Sequence, residues 1–240
     1  MPFLPPLARA AGVLEIIDGP PVPFRDMACC MMDISRVNAL FGGRMVTMVH
    51  VKRLLAARPA DRLVTVLDVG TGAGDIPRAL VRWARRQGRR IRIFALDRDP
   101  ATLRIAAELA RDYPEITFLR GDALALPIRA EAVDLTISAM TLHHLEPDAG
   151  VRYLAEMDRA ARLGVIVNDL VRSHIAHWVV WLITRFITRS AISRHDGPLS
   201  VRRSYTPGEV TELCEKAGLV DASVVHHRPY LRFCAVRAKR

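Results

Sequence analysis

The chain has 240 residues, half of them hydrophobic, with charged residues interspersed and a formal net charge of +10. Such a length accommodates one large α/β domain with a substantial core, and the composition excludes a disordered, collagen-like or low-complexity protein. The charge invites a nucleic-acid partner, but it comes from arginines spread along the chain, with lysine only at Lys52, Lys216 and Lys239.

The densest basic run, RWARRQGRR at 82–90, falls on the last turns of a predicted helix. Cations there face solvent and complement the helix dipole, so no nucleic-acid partner is expected. Cys29, Cys30, Cys214 and Cys234 form no C-x-x-C pair and read as buried apolar residues of a reducing compartment. The opening MPFLPPLARAAG has prolines where a secretory signal has a basic start and an apolar core. A cytoplasmic location is therefore expected.

Residues 26–59 read as helical with a break at Gly42-Gly43. From residue 63 strand and helix signals alternate, which predicts a parallel sheet with crossover helices. LVTVLDVG (63–70) is the first strand, apolar almost throughout, as a strand covered on both faces should be. A helix starts near Asp75 and stops near Gly88. IRIFALD (91–97) is the second strand, followed by a helix with Asp99 as N-cap and Pro100 at its first position. ITFLRGD (116–122) and AVDLTISA (132–139) are the third and fourth strands. A helix over 148–161 leads to GVIVND (164–169), the fifth. TPGEVTELCEKAGL (206–219) is a capped helix, and VDASVVHH with YLRFCAVRA supplies two last strands.

The turn after the first strand reads Asp68-x-Gly70-x-Gly72-x-Gly74, flanked by Asp75. Glycines at such a turn permit positive φ and let a ligand approach the backbone. The dinucleotide spacing G-x-G-x-x-G and the phosphate loop's G-K-[ST] are both absent. Two acidic flanks without a nearby lysine suit a cationic ligand better than a pyrophosphate. Asp97, about twenty residues on, ends the second strand where nucleoside-binding α/β folds place a carboxylate for the ribose hydroxyls.

These residues resemble the first motif, D/E-x-G-x-G-x-G, of the class I S-adenosylmethionine-dependent methyltransferases. The resemblance runs from residue 63 to the C-terminus and implies the Rossmann-like seven-stranded fold of order 3-2-1-4-5-7-6, last strand antiparallel. It implies S-adenosylmethionine as cofactor, held by Asp68, Gly70, Thr71, Gly72, Gly74, Asp97, Arg98, Ser138 and the GDA-like element Asp122-Ala123. In the family, residues after the fourth strand face the acceptor; here they read SAMTLHHLEPD (138–148). Imidazoles titrate near neutrality, so His143 or His144 is a candidate general base.

The chain is most similar to the UbiE-like, methyltransferase type 11 branch that acts on small molecules. MDISRVNALFGG resembles that branch's N-terminal element, with Phe41 or Gly42 in place of its serine and Asn38 as a candidate acceptor contact. The insert over 170–205 resembles bacterial relatives acting on secondary metabolites such as phenolic polyketides. Its apolar residues, among them Trp178 and Phe186, recur at helical spacing, which leads us to expect a roof over a greasy acceptor pocket or a helix resting on a membrane. Arg172, Trp178, His195 and Tyr205 are its candidate acceptor contacts.

The implied organisation is an N-terminal helical extension or lid over 1–62 and a cofactor-binding catalytic domain over 63–240 carrying the insert as a cap. The expected activity is methyl transfer to an oxygen or carbon of a small lipophilic acceptor, by a monomer or homodimer. Asn168-Asp169 resembles the metal pair of catechol-type methyltransferases only in part, since the carboxylate after the fourth strand is missing, and no metal is expected. Two rival readings are a methyltransferase-like module that binds a membrane or RNA without turnover, and an NAD(P)-dependent oxidoreductase, which the missing Tyr-x-x-x-Lys pair disfavours.

Overall fold

The computed structural model describes residues 5–239. Seven strands form one sheet of order β3-β2-β1-β4-β5-β7-β6. In chain order they are β1 (Val64–Val69), β2 (Ile91–Asp97), β3 (Ile116–Arg120), β4 (Val133–Ala139), β5 (Ala161–Leu170), β6 (Ser223–His227) and β7 (Arg232–Ala238). The pairings of β1 with β2 and β4, of β2 with β3 and of β4 with β5 are parallel. Strand β7 runs antiparallel to both β5 and β6. This is the order and polarity that the sequence resemblance implies.

The central strands are buried on both faces, with Val66, Leu67, Leu135 and Ile137 fully inaccessible. Helices carry three of the crossovers, α3 (Asp75–Arg86) from β1 to β2, α4 (Pro100–Leu109) from β2 to β3 and α5 (Pro147–Ala160) from β4 to β5, while β3 passes to β4 without one and α8 (Pro207–Lys216) leads into β6. Local chemistry fixes their starts. Asp99 accepts from the Thr102 amide with Pro100 next in line, and Thr206 and Glu209 form a reciprocal capping box at α8. Strand β5 begins at Ala161, directly after α5, three residues before the apolar signal.

The N-terminal helices α1 (Phe24–Leu40) and α2 (Gly43–Leu54) meet at Gly42, whose φ of +77° and close approach to the Tyr230 ring leave no space for a side chain. Buried Asn168 of β5 anchors α2 by donating to the Gly43 carbonyl and the Thr47 hydroxyl. The insert is a pair of helices, α6 (His174–Phe186) and α7 (Ala191–Arg203). Helix α7 runs through HDGP, a stretch whose glycine and proline read as a breaker. Gly197 is needed because a methyl group there would press into Thr184 of α6. Residues 5–23 form a strap across α7, fastened by the Asp196 carboxylate accepting from the amides of Ile16 and Ile17 at 2.9 and 3.2 Å.

The sheet changes winding direction beside β1, between β2 and β4. Ligands of open α/β sheets bind beyond the carboxyl ends of the strands at such a point.

Candidate cofactor and acceptor site

A cavity of about 300 Å³ opens there, and the carboxyl ends of β1, β2, β4 and β5 all reach it. On the β1–β2 side lie Asp68, Gly70, Thr71, Gly72, Asp97 and Arg98, with Asp122 and Ala123 beyond β3. Gly70 has φ +73° and sits against the Thr141 side chain, so any Cβ would collide. Gly72, at φ +52°, has only Met31 near its missing Cβ, at 3.9 Å, which leaves its backbone open to a ligand. Gly74 takes a positive φ where α3 begins and lies outside the cavity lining.

Asp68 is buried and accepts from Thr71 Oγ1 at 2.6 Å. Burial lifts its carboxyl to about 7, the Thr71 hydrogen bond only partly opposing. Burial also raises Asp97, although it accepts from the amides of Gly72 at 3.0 Å and Asp99 at 3.2 Å. Asp75 is pushed up by burial too, and its Oδ2 makes no hydrogen bond. A wall of crowded carboxyls whose ionised forms burial disfavours is a site that a cation would relieve. Asp122 folds its Oδ1 onto the Leu124 amide at 2.9 Å on the exposed rim. Arg98 likewise stands at the rim, pairing with Asp18 at 2.6 Å. Ser138 lies in the sheet interior, where its hydroxyl donates to the Val69 carbonyl and receives the Tyr153 hydroxyl.

On the β4–β5 side the wall changes character. His143 is buried, and its Nδ1 lies 2.7 Å from Asp169 Oδ1, while its amide donates to Asp169 Oδ2 at 3.1 Å. Burial alone would raise Asp169, but the adjacent imidazole and the amides of His143 and Leu170 outweigh it and hold the carboxyl below its ordinary range. With Nδ1 committed to a carboxylate, Nε2 is the nitrogen free for chemistry. Met140, just before, is held at φ +61° on the cavity wall, in a conformation costly for a side chain without a local hydrogen bond.

The strap brings two acids to this wall that nothing in the sequence marked. Glu15 is 98% buried by virtue of 2% exposure, and its Oε1 has no hydrogen-bond partner although His143 Nε2 lies 3.6 Å away and Arg203 Nε 3.8 Å. Burial raises Glu15 to about 7, with His144 opposing. Asp18 accepts from His144 Nδ1 at 2.6 Å; burial would raise it, but the hydrogen bond and charge of His144 hold it low. Glu15, His143 and His144 offer ligand atoms within 4.8 Å of one another, a spacing a metal ion can bridge, but the Arg203 guanidinium competes for Glu15.

Asn38 lines the cavity and accepts at 2.9 Å from Arg232, a fully buried cation whose Nε is unpartnered. Burial pushes Arg232 down to about 10. The remaining expected acceptor contacts lie elsewhere. Arg172 is committed to the carbonyls of Leu7 and Ser204 and to Glu209. Tyr205 is buried with its hydroxyl on the Leu145 carbonyl, and His195 is half exposed, paired with Asp196. Trp178 is 61% exposed and points away from the cavity, which α6 lines instead through Val180 and Thr184. Trp178 is singled out by apolar periodicity, which finds a helix but cannot say which of its two apolar faces turns inward.

Residues 66–164 match the family model described as a methyltransferase domain. The chain is 30% identical over 171 residues to a demethylmenaquinone methyltransferase from Roseiflexus castenholzii, covering 65% of this chain and 68% of the relative. It is 37% identical over 98 residues to a 2-phytyl-1,4-naphtoquinone methyltransferase from Thermosynechococcus vestitus, a match spanning 41% of this chain but only 38% of that protein. A SAM-dependent methyltransferase structure from Aquifex aeolicus shares the fold at a TM-score of 0.62 and 20% identity, covering 91% of this chain and 99% of that one.

An open α/β sheet with a glycine turn and paired acids at its switch point defines a nucleoside-binding scaffold. The chain belongs to the class I S-adenosylmethionine-dependent methyltransferases, and its cofactor is S-adenosylmethionine.

Proposed function

We propose that the chain transfers a methyl group to a phenolic oxygen of a small lipophilic acceptor, such as a phenolic polyketide or quinone-like secondary metabolite, with His143 as general base. The observation that carries this reading is the Asp169–His143 pair at 2.7 Å, buried on the cavity wall opposite the glycine turn. The two relatives named for a phytyl naphthoquinone and for demethylmenaquinone support an aromatic acceptor bearing a hydrocarbon chain. So do the apolar residues Met31, Ile34, Val37, Leu170 and Val180 on the acceptor side of the cavity.

The residues present fit the cofactor. Asp97 offers its carboxylate to the ribose hydroxyls, Asp122 and Ala123 border the adenine position, and the open backbone at Gly72 accepts close approach. Asp68 and Asp75 supply negative charge for the ammonium, and Arg232 a buried cation on the same wall for a carboxylate. When bound, the cofactor supplies an electrophilic methyl group on sulfur. The protein then has to place the acceptor oxygen in line and remove its proton. His143 Nε2 takes that proton, and Asp169 stabilises the resulting imidazolium, as its lowered carboxyl requires.

Segment 1–62 acts as a lid and α6–α7 as a cap, because the strap, α1 and α6 all contribute cavity wall. They exclude water from a reaction that gains from a dry site. The testing experiment is calorimetric titration with S-adenosylhomocysteine, followed by mass-spectrometric screening of alkylated phenols and hydroquinones for addition of one methyl group. Cofactor binding without turnover of any such acceptor would refute the acceptor class.

A further inference from the structure

Helix α6 has two apolar faces with opposite fates. Ala176, Val180 and Thr184, spaced four apart, turn inward, Ala176 fully buried and the other two onto the cavity. Ile175, Trp178, Leu182 and Phe186 form the outer stripe and are 69, 61, 48 and 78% exposed. Trp181 adds a second indole, its ring 5.9 Å from that of Trp178 in edge-on contact. An isolated exposed leucine is ordinary, but a continuous stripe with two tryptophans and a phenylalanine marks a surface that water is not meant to cover.

Its charge says what covers it. From His174 to His195 there is no acidic residue, while Arg185, Arg189 and Arg194 are all exposed. Indoles and a phenylalanine framed by arginines have the make-up of helices that lie in an anionic lipid interface, where the rings sit at the headgroup level and the guanidiniums meet phosphates. The helix cannot span: its 13 residues extend roughly 20 Å, against roughly 30 Å of hydrocarbon.

We propose that the outer face of α6 docks the enzyme on an anionic phospholipid surface, so that a lipophilic acceptor passes from the bilayer into the cavity under the same helix. The docking surface stands on exposure and charge alone; the passage of acceptor rests on the function proposed above. Val180 and Thr184 line the cavity on the inner side of the helix whose outer side carries the stripe.

The test is flotation of the full chain with vesicles of phosphatidylcholine mixed with phosphatidylglycerol, beside pure phosphatidylcholine vesicles. Tryptophan emission and light scattering in solution accompany it. The protein is expected to float with the anionic vesicles, to be released by high salt, and to shift its emission to the blue on binding. Trp178→Ser with Phe186→Ser should weaken vesicle binding about tenfold or more, while S-adenosylhomocysteine binding, which reports folding, stays unchanged. Arg185→Ser with Arg189→Ser should remove the preference for anionic lipid. No flotation of the parent chain, or flotation indifferent to the aromatic variant, overturns the proposal. So does a dimer in solution that the aromatic variant dissolves, since the stripe would then be a contact between two copies. Flotation as expected, with no methylation of any phenol, sinks the proposed reaction and leaves the docking surface standing.

Discussion

Asp169→Asn tests the reaction most directly. The carboxylate holds His143 Nδ1 at 2.7 Å and also accepts from the His143 amide at 3.1 Å, in a place with no exposure to water. A hydrogen bond to a charged partner is worth about 1.5–3 kcal/mol, and losing that charge costs the imidazolium about 10- to 150-fold in stabilisation. Asparagine can also turn its amide nitrogen toward Nδ1, which reverses the tautomer and leaves Nε2 protonated and unable to accept. Together these should lower kcat for a phenol of ordinary acidity by about 10²- to 10⁴-fold, the span of a general base. The dissociation constant for S-adenosylhomocysteine should stay within a few-fold of the parent value. The assay is kcat for one phenol and for a nitro-substituted analogue that is already ionised at the assay pH. The loss should be large for the first and shrink by an order of magnitude or more for the second. An equal loss for both, or kcat unchanged for the ordinary phenol, would refute the base assignment.

Asp97→Ala should weaken S-adenosylhomocysteine binding by about 100-fold in calorimetry, because two hydroxyl contacts to a carboxylate go and the Gly72 amide loses its partner. Gly70→Ala should abolish cofactor binding and lower the unfolding midpoint, since it combines φ +73° with collision against Thr141. Burial lifts Glu15 from 4.5 to about 7 and so sets a pH slope. Being raised, the group contributes its stability fully below about 4.5 and loses it as pH climbs through 7, a span of about 3 kcal/mol at most. Urea unfolding between about pH 5 and 8 should therefore show falling stability in the parent and a flatter profile in Glu15→Gln; equal slopes would remove Glu15 as the cause. Chelator dialysis should leave turnover unchanged; a loss restored by a divalent ion would show a metal requirement, for which Glu15, His143 and His144 are the candidate ligands among the described residues.

The sequence by itself determined the strands of the sheet and marked the glycine turn and Asp97 that line the cavity beside β1 and β2. Both are local: β1 announces itself by an apolar run, the turn by glycines that alone tolerate its φ angles, and Asp97 by its place at a strand end. Order 3-2-1-4-5-7-6 came with the family resemblance, as no periodicity encodes which strands are neighbours. Residue pattern cannot choose between the two adjacent histidines, because they differ in burial and in which distant carboxylate takes Nδ1, Asp169 of β5 for buried His143 and Asp18 of the strap for His144.

Only the tertiary structure decided the acceptor side. Glu15 and Asp18 lie in LEIIDG (14–19), which carries no motif, and reach the cavity because Asp196 and Arg203 of a distant helix fasten the strap. Arg232 reads as an exposed strand arginine, yet it is fully buried, since β7 inserts between β5 and β6 and turns it toward Asn38. Trp178 shows the limit from the other side. Its spacing announced an apolar helix, but α6 is apolar all round, and only packing against α7 chose which face meets the cavity and which is left for another surface. Strand and turn chemistry is written in adjacent residues, whereas a pocket is assembled from residues whose closeness exists only after the chain has folded.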